Sequence, residues 1–174
     1  MSELFYDKYR VKTARLPFYD YGSNGSYFIT IATWQRDHFF GEIEQGEMNF
    51  SLLGKHAQEC WLQIPEHFQF VKLGAFVIMP NHVHGIITID RDIETQDFVS
   101  LPSQARRGPQ SKNVPSIVRG FKIGVTKFAR KKLNIDNVWQ AGYYDRVIRN
   151  DKEYERISNY IRLNPKNWLK DGYN

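Results

Sequence analysis

Residues 71–89 read VKLGAFVIMPNHVHGIITI, and this stretch decides the fold class that the sequence predicts. Two runs rich in β-branched and aromatic residues, 71–79 and 82–89, are separated by Pro80 and Asn81. Pro presets φ at the second position of a turn and Asn tolerates a positive φ at the third, so the pair is typical of a hairpin. The stretch therefore predicts two adjacent antiparallel strands.

The flanking segments predict the remaining elements of an α+β protein. Two further strands are predicted by aromatic and β-branched content at residues 26–34 and 138–148. Three helices are predicted by apolar residues at helical spacing in 51–64, 116–133 and 150–163. This order is that of a ferredoxin-like (RRM-like) sandwich, in which two helices cover one face of a four-stranded antiparallel sheet. The last helix is additional to that plan.

Length and composition are those of one globular domain. The 174 residues carry 41% hydrophobic and 25% charged residues, so we expect a single domain over residues 1–174. Within it, residues 1–24 are expected to form an N-terminal strap, and the polar, aperiodic residues 91–115 a mobile loop. Cys60 is the only cysteine, which excludes an internal disulfide and a metal cluster built on cysteines.

The sequence also predicts where the protein works. Its longest apolar run, 75–79, is far too short to span a bilayer, and the N-terminus lacks the apolar segment of a signal peptide. We therefore expect no membrane partner and a cytoplasmic protein.

Positive charge is concentrated in one part of the chain. The net charge is +5 and the pI about 9.3, and residues 105–135 contain nine Lys or Arg and no acidic residue. Such a segment is either a solvated helix face or a surface for nucleic acid. The strap mixes basic and aromatic residues, which suits either stacking on bases or packing across the sheet edge. The candidate DNA-binding residues are Arg15, Arg106, Arg107, Lys112, Arg119, Lys122, Lys127 and Arg130.

Two histidines lie two residues apart in the third predicted strand. Because side chains alternate between the faces of a strand, His82 and His84 share one face, while the more apolar Val83, Ile87 and Ile89 share the other and should pack on the helices. We expect both imidazoles on the open face, where they could bind one cation and where their replacement should not disturb the core. From spacing alone, a purely structural pair is as compatible with the pattern.

The last predicted helix carries a second candidate site. Tyr154, Ile157 and Ile161 form its apolar stripe, Tyr160 lies beside that stripe, and Asn164 follows Tyr160 by one turn. A tyrosine at the edge of an apolar face is ordinarily a core aromatic with its hydroxyl in water. Spacing alone therefore does not assign Tyr160 a role.

Four motifs taken together resemble a known family. Residues 79–84, MPNHVH, resemble the His-hydrophobic-His signature of the HUH endonucleases, and residues 159–165, NYIRLNP, resemble the tyrosine helix of their single-tyrosine transposase branch. Residues 15–21 and 139–150 are similar to stretches of the REP-associated tyrosine transposases. The resemblance spans about residues 9–168, with 91–115 as its least matched part.

The resemblance implies an enzyme that nicks and joins single-stranded DNA beside a hairpin or palindromic repeat. It implies Tyr160 as the nucleophile that forms a 5′-phosphotyrosine, and His82 and His84 as ligands of a divalent metal, Mg²⁺ or Mn²⁺. Asn164 carries over as the third ligand, at a position that is Gln in better-known relatives. The resemblance is compatible with a monomer or a homodimer.

Two other functions are compatible with these residues. One is a non-catalytic domain that binds single-stranded nucleic acid on an open sheet, as RNA-recognition domains do, although those place aromatics where this chain has its histidines. The other is a metal-dependent hydrolytic nuclease in which Tyr160 is structural. The general base for Tyr160 is also open, with Glu153, Arg156 and the metal as the groups nearest along the helix.

Overall fold

The computed structural model describes residues 20–91 and 112–170. The strands are β1 (Gly25–Ala32), β2 (Gly41–Glu44), β3 (Glu47–Phe50), β4 (Val71–Met79), β5 (His82–Ile89) and β6 (Tyr144–Ile148). The α-helices are α1 (Leu52–Leu62), α2 (Ile64–His67), α3 (Val114–Phe128) and α4 (Asp151–Leu163). Short helices of other types cover Trp34–Arg36, Ala129–Leu133 and Pro165–Lys170.

Four strands form one antiparallel sheet with the order β4-β5-β1-β6, and β2 and β3 form a separate hairpin. The first strand along the chain is therefore central, and β4 and β6 are the edges. The predicted α+β class and four-stranded antiparallel sheet are confirmed. In this register Thr30 of β1 lies opposite both His84 of β5 and Tyr144 of β6.

The turn between β4 and β5 differs from the prediction in one respect. Asn81 does not take the positive φ that we expected of it. Its backbone carbonyl instead accepts hydrogen bonds from the backbone N and the Oγ1 of Thr33, and its side chain contacts His82. Asn81 is therefore held by hydrogen bonds, without the left-handed conformation in which Asn is usually favoured.

One face of the sheet packs on α1 and α3, as the alternation in β5 predicted. Its core contains Val83, Ile87 and Ile89, and the predicted stripe of α3 is buried against them. Trp61 of α1 packs directly over Gly85. Leu52, an apolar residue of the predicted helical segment 51–64, is not part of the core, because it is 58% exposed at the first turn of the helix.

The other face of the sheet is not open, which corrects the prediction for His82 and His84. Helix α4 packs on it, and Ile157 and Ile161 form a second core with Ile86 and Ile148. The physical reason is that the apolar stripe of α4 must itself be removed from water, and the second face is the apolar surface available to it. The two histidines therefore lie inside packed structure, and replacing them would disturb it.

Element boundaries also differ in places. The fourth main strand begins at Tyr144 and not at 138, because Gly142 has φ +75° and interrupts the strand. Before it, Trp139 forms an isolated bridge with Thr33. Helix α3 begins at Val114, two residues earlier than predicted, after a capping box between Asn113 and Ser116. Helix α4 follows an N-cap, since the Asn150 side chain accepts a hydrogen bond from the backbone N of Glu153.

Several predictions fall outside the described residues. Only residues 20–24 of the predicted strap and only 91 and 112–115 of the predicted loop are described, so Arg15, Arg106 and Arg107 lie outside. The two described ends of the loop lie close together, since the Arg91 guanidinium donates to the carbonyl of Lys112. Among the helices in the described ranges, none is long and apolar enough to cross a membrane.

The contact between Gly85 and Trp61 generates a stability prediction. A Cβ at position 85 would overlap the Trp61 indole, so Gly85→Ala should lower the free energy of unfolding by about 2 kcal/mol through overpacking. Gly120→Ala is the matched control, because its Cβ would meet only Phe68 side-chain carbons, the nearest at 3.6 Å, on an exposed helix position. That control should be neutral or stabilise by up to about 1 kcal/mol. Urea unfolding of both variants measures the difference, and equal stabilities would refute the packing described.

Candidate active site

His82 and His84 lie side by side on the α4 face of β5, near the strand's N-terminal end. Their ring centroids are 4.5 Å apart at an interplanar angle of 66°. Both residues are buried, with 0% and 2% of their surface exposed. Trp168, in the short helix that follows α4, stacks on His82 at 6.1 Å between centroids. The pair is therefore enclosed by the C-terminal part of the chain and not displayed on an open sheet.

Each imidazole has a hydrogen-bond partner at the same ring nitrogen. His82 Nδ1 lies 2.8 Å from Asn81 Oδ1, and His84 Nδ1 lies 2.8 Å from Thr30 Oγ1. Asn81 and Thr30 are themselves buried. The other ring nitrogen of His84, Nε2, faces α4. The His82 side chain lies beside Asn164 at the end of that helix.

Burial keeps both imidazoles neutral. Removal from water lowers the pKa of His84 from its ordinary value of 6.5 to about 3. For His82, burial and then the charge of His84 lower the pKa well below 6.5, and the Asn164 side chain partly opposes this shift. Neutral imidazole is the form that binds a metal ion.

Tyr160 reaches the pair from α4. Its hydroxyl lies 3.2 Å from His84 Nε2, within hydrogen-bond distance, and the two ring centroids are 5.3 Å apart. Phe28 of β1 meets the Tyr160 ring edge-on at 6.3 Å. Although this contact fixes one side of the ring, Tyr160 is 45% exposed, so its hydroxyl borders both the histidine pair and solvent.

Asn164 completes the group that the sequence singled out. Pro165 ends α4 there, but Asn164 keeps helical φ and ψ, so it remains one turn beyond Tyr160 on the same side. Its side chain is buried beside His82, and Oδ1 accepts no hydrogen bond of normal geometry from the described residues. The structure thus brings His82, His84, Tyr160 and Asn164 together.

These donors fit a divalent metal ion. Two neutral imidazole nitrogens and a buried amide oxygen without a well-formed hydrogen bond are a ligand set that a divalent cation accepts. Within residues 20–91 and 112–170 no group of three or more His, Cys, Asp or Glu is placed to hold a metal. A metal at this site would therefore depend on the amide of Asn164 as well as on the two histidines.

Glu153, one of the groups that the sequence suggested as general base, is not available for that role. The Glu153 carboxylate accepts from the backbone N of Arg149 and pairs with Arg146 and Arg156, so it is already engaged. His84 contacts the Tyr160 hydroxyl, but a pKa near 3 makes it a weak base. Taking a proton from a tyrosine of ordinary acidity would cost on the order of 10 kcal/mol. His84 therefore orients the hydroxyl and does not deprotonate it unaided.

Sequence reasoning missed several residues of the site. Thr30, Asn81, Phe28 and Trp168 all contact the histidine pair or Tyr160. Asn81 stands inside the MPNHVH motif and could have been recognised as a partner of His82 there. Thr30 and Phe28 carry no local signal, because their place depends on the register between β1 and β5.

The basic helix α3 lies on the opposite side of the sheet from Tyr160. Its apolar stripe packs on the first core, and its outer face borders a groove of about 460 Å³ with Gly142 and Tyr143. The described members of the predicted DNA-binding set are Lys112, exposed just before α3, and four residues lining this groove: Arg119, Lys122, Lys127 and Arg130.

Lys122 differs from the other cations of the groove. Its ammonium donates to the carbonyls of Gln140 and Gly142 and lies over the Trp139 ring. Burial lowers its pKa to about 8. Lys122 therefore holds the segment before β6 against α3, whereas Arg119 and Lys127 direct their charge outward more freely.

The chain is similar in sequence to known proteins of Haemophilus influenzae. The chain is 42% identical over 163 residues to an uncharacterized protein of Haemophilus influenzae, covering 92% of this chain and 91% of the relative. It is 25% identical over 154 residues to a Haemophilus influenzae protein provisionally named a REP-associated tyrosine transposase, covering 88% of this chain and 76% of the relative. No family model matches the chain.

A solved structure is similar in fold. It is that of a REP-associated tyrosine transposase bound to a REP hairpin, with a TM-score of 0.60 and 19% sequence identity. The similarity covers 93% of this chain and 76% of that one. The likeness therefore extends over nearly all the elements described above.

The low pKa of His84 generates a prediction on stability and pH. Between pH 6.5 and 3 this residue is protonated in the unfolded chain but not in the folded chain. The free energy of unfolding should therefore fall as the pH falls through this window. At pH 5 the loss from His84 should be about 2 kcal/mol. We expect His84→Gln, measured by urea unfolding with chelator present, to lose that much less stability between pH 7 and 5 than the parent.

His67→Gln on the protein surface is the control for the substitution itself, because it keeps the buried His84 and should keep the pH dependence that His84 contributes. An equal pH dependence in the parent and in His84→Gln would show that His84 is not buried in its neutral form.

Proposed function

We propose that the chain belongs to the family of the REP-associated tyrosine transposases and that it nicks and rejoins single-stranded DNA beside a hairpin or repeat element. The observation that carries the proposal is the contact between the Tyr160 hydroxyl and His84, next to His82 and Asn164. The hydroxyl of a half-exposed tyrosine beside neutral imidazoles that could hold a metal ion is the arrangement that covalent phosphodiester cleavage needs.

The proposed reaction is an in-line displacement at phosphorus. The Tyr160 oxygen bonds to phosphorus, the bond from phosphorus to the 3′ oxygen breaks, and the proton lost by the tyrosine passes to solvent while the 3′ oxygen leaves as a hydroxyl. The product is a 5′-phosphotyrosine, which keeps a phosphoester for later transfer to another 3′ hydroxyl without ATP. A divalent metal, Mg²⁺ or Mn²⁺, held by His82, His84 and Asn164 would neutralise charge developing on the phosphate oxygens.

The architecture supports this role. The strand order β4-β5-β1-β6, with α1 and α3 on one face, is the pattern of a ferredoxin-like sandwich, and α4 then lies as an additional helix on the other face. We propose that α4 serves as the tyrosine helix. All four proposed site residues come from one chain, so the site would be complete in a monomer and in a homodimer alike.

The position of the basic groove suggests the path of the DNA. Tyr143 lines the groove of α3, and the next residue, Tyr144, meets Phe28 on the Tyr160 side of the sheet. A DNA strand that contacts both Arg119 and Tyr160 would pass around the edge of the sheet that β6 forms. Single-stranded DNA is flexible enough for such a path, whereas a duplex is stiff over this length.

Because the proposed substrate is DNA, the proposed place of action is the nucleoid in the cytoplasm.

The two alternative functions are less well supported. A domain that binds nucleic acid on an open sheet needs an exposed sheet face, and here α1 and α3 cover one face while α4 packs on the other. A hydrolytic nuclease would need no tyrosine, yet Tyr160 is the side chain that borders both His84 and solvent. The hydrolytic mechanism is distinguished from ours by its product, a free 5′ phosphate.

We predict that Tyr160→Phe abolishes cleavage and covalent adduct formation while leaving DNA binding and folding nearly unchanged. The substitution removes one oxygen and keeps the ring against Phe28, so the free energy of unfolding should change by no more than about 1 kcal/mol. The measurement is a detergent-resistant shift of a labelled hairpin oligonucleotide with Mn²⁺, followed by peptide mapping of the adduct.

Tyr154→Phe on the same helix is the matched control and should form the normal adduct, because Tyr154 packs in the second core. An adduct on another residue, or nicking by Tyr160→Phe that leaves a free 5′ phosphate, would replace this mechanism with hydrolysis.

The basic groove generates a separate prediction about salt. Replacing Arg119 and Lys127 by Gln should make the slope of log K against log salt less steep by about 1.4 for single-stranded DNA, since each phosphate contact contributes about 0.7. Lys122 is excluded from this test because its loss would leave two carbonyls without a donor. Lys55→Gln on the exposed side of α1 is the control and should leave the slope unchanged. An unchanged slope in the double variant would show that the groove is only a solvated surface.

A further inference from the structure

We propose that Thr30 and Asn81 are positioning residues that fix which nitrogen of His84 and His82 carries the proton. Each would accept a hydrogen bond from Nδ1–H, which leaves both Nε2 lone pairs for a metal ion. The proposal rests on the metal site of the proposed function and adds two residues that the family resemblance did not identify.

The geometry of the two contacts is the same. Both join Nδ1 to a side-chain oxygen at 2.8 Å, and both oxygens belong to buried residues, Thr30 at 4% and Asn81 at 1% exposure. The Asn81 oxygen is an amide carbonyl, which only accepts, so His82 Nδ1 must donate. A neutral imidazole has one N–H, and His82 Nε2 is then the acceptor nitrogen.

For His84 the hydroxyl of Thr30 could in principle donate or accept. The hydroxyl of Tyr160, 3.2 Å from His84 Nε2, could likewise donate or accept. The metal site of the proposed function sets the direction, because a metal ligand needs a lone pair on Nε2. This requirement places the His84 proton on Nδ1, with Thr30 as its acceptor.

The backbone around these residues does not by itself require their side chains. Thr30 is an ordinary strand residue directly opposite His84, where any β-branched residue would suit the ladder. Asn81 lacks the positive φ that would favour an Asn in a turn. A function for the two oxygens therefore accounts for residue choices that local structure leaves unexplained.

The decisive experiment reads the tautomers directly. Long-range ¹H–¹⁵N correlation spectra of the metal-free protein should show a protonated Nδ1 and an unprotonated Nε2 in both His82 and His84. The same spectra of Thr30→Val, which keeps the shape and removes the hydroxyl, should show His84 losing this single tautomer. An Nε2–H form of either histidine in the unmodified protein would overturn the proposal.

Metal affinity supplies a second readout. Titration with Mn²⁺, followed by loss of the free-ion EPR signal, should show affinity falling about 10- to 100-fold for Thr30→Val and Asn81→Leu. Thr30→Ser, which keeps a hydroxyl, should restore affinity to within a few-fold of the parent. Thr88→Val is the matched control, because the Thr88 hydroxyl lies on the same face of β5 but bonds to Ser26 and not to a histidine.

The outcomes separate this inference from the proposed function. Normal tautomers in a protein that binds no Mn²⁺ would overturn the metal site and with it the proposed purpose of these contacts. A normal Tyr160 adduct together with unchanged affinity in Thr30→Val and Asn81→Leu would overturn the positioning role and leave the proposed function intact. Should Thr30→Val not fold, the spectra of the unmodified protein still decide the matter.

Discussion

The packing of α4 on the second face of the sheet is the constraint on which the rest of the site depends. Ile157 and Ile161 are buried against Ile86 and Ile148, and each such side chain contributes roughly 1.5–3 kcal/mol when removed from water. Because residues three and four apart lie on one side of a helix, the same packing holds Tyr160 and Asn164 against the histidines. It also removes the imidazoles from water and so keeps them neutral.

Much of the fold could be predicted from local patterns. Alternation in residues 82–89 separated the histidines from Val83, Ile87 and Ile89, and helical spacing gave the stripes of α3 and α4. These predictions succeed because period and face are properties of a single element. The prediction of an open second face failed for the complementary reason. Whether a face is covered depends on where another helix packs, and periodicity within one strand carries no information about that.

The candidate site divides along the same line. The two histidines, Tyr160 and Asn164 were recognisable from motifs and spacing, and the structure brings all four of these residues together. Thr30 could not be found in this way, because it is 54 residues from His84 and only strand register makes them neighbours. Trp168 is likewise brought to His82 by the turn after α4. Contacts to the histidines that depend only on tertiary structure therefore cannot be predicted from a single sequence.

The separation of the basic groove from Tyr160 has a consequence for how such a protein could diversify. The groove of α3 and the proposed reacting groups lie on opposite faces of one sheet, with separate cores behind them. If the groove holds nucleic acid as proposed, substitutions at Arg119 or Lys127 would alter that contact without moving a reacting atom. Under the proposed function, a descendant could acquire a new target repeat through changes on one face, while selection for the chemistry acts on the other.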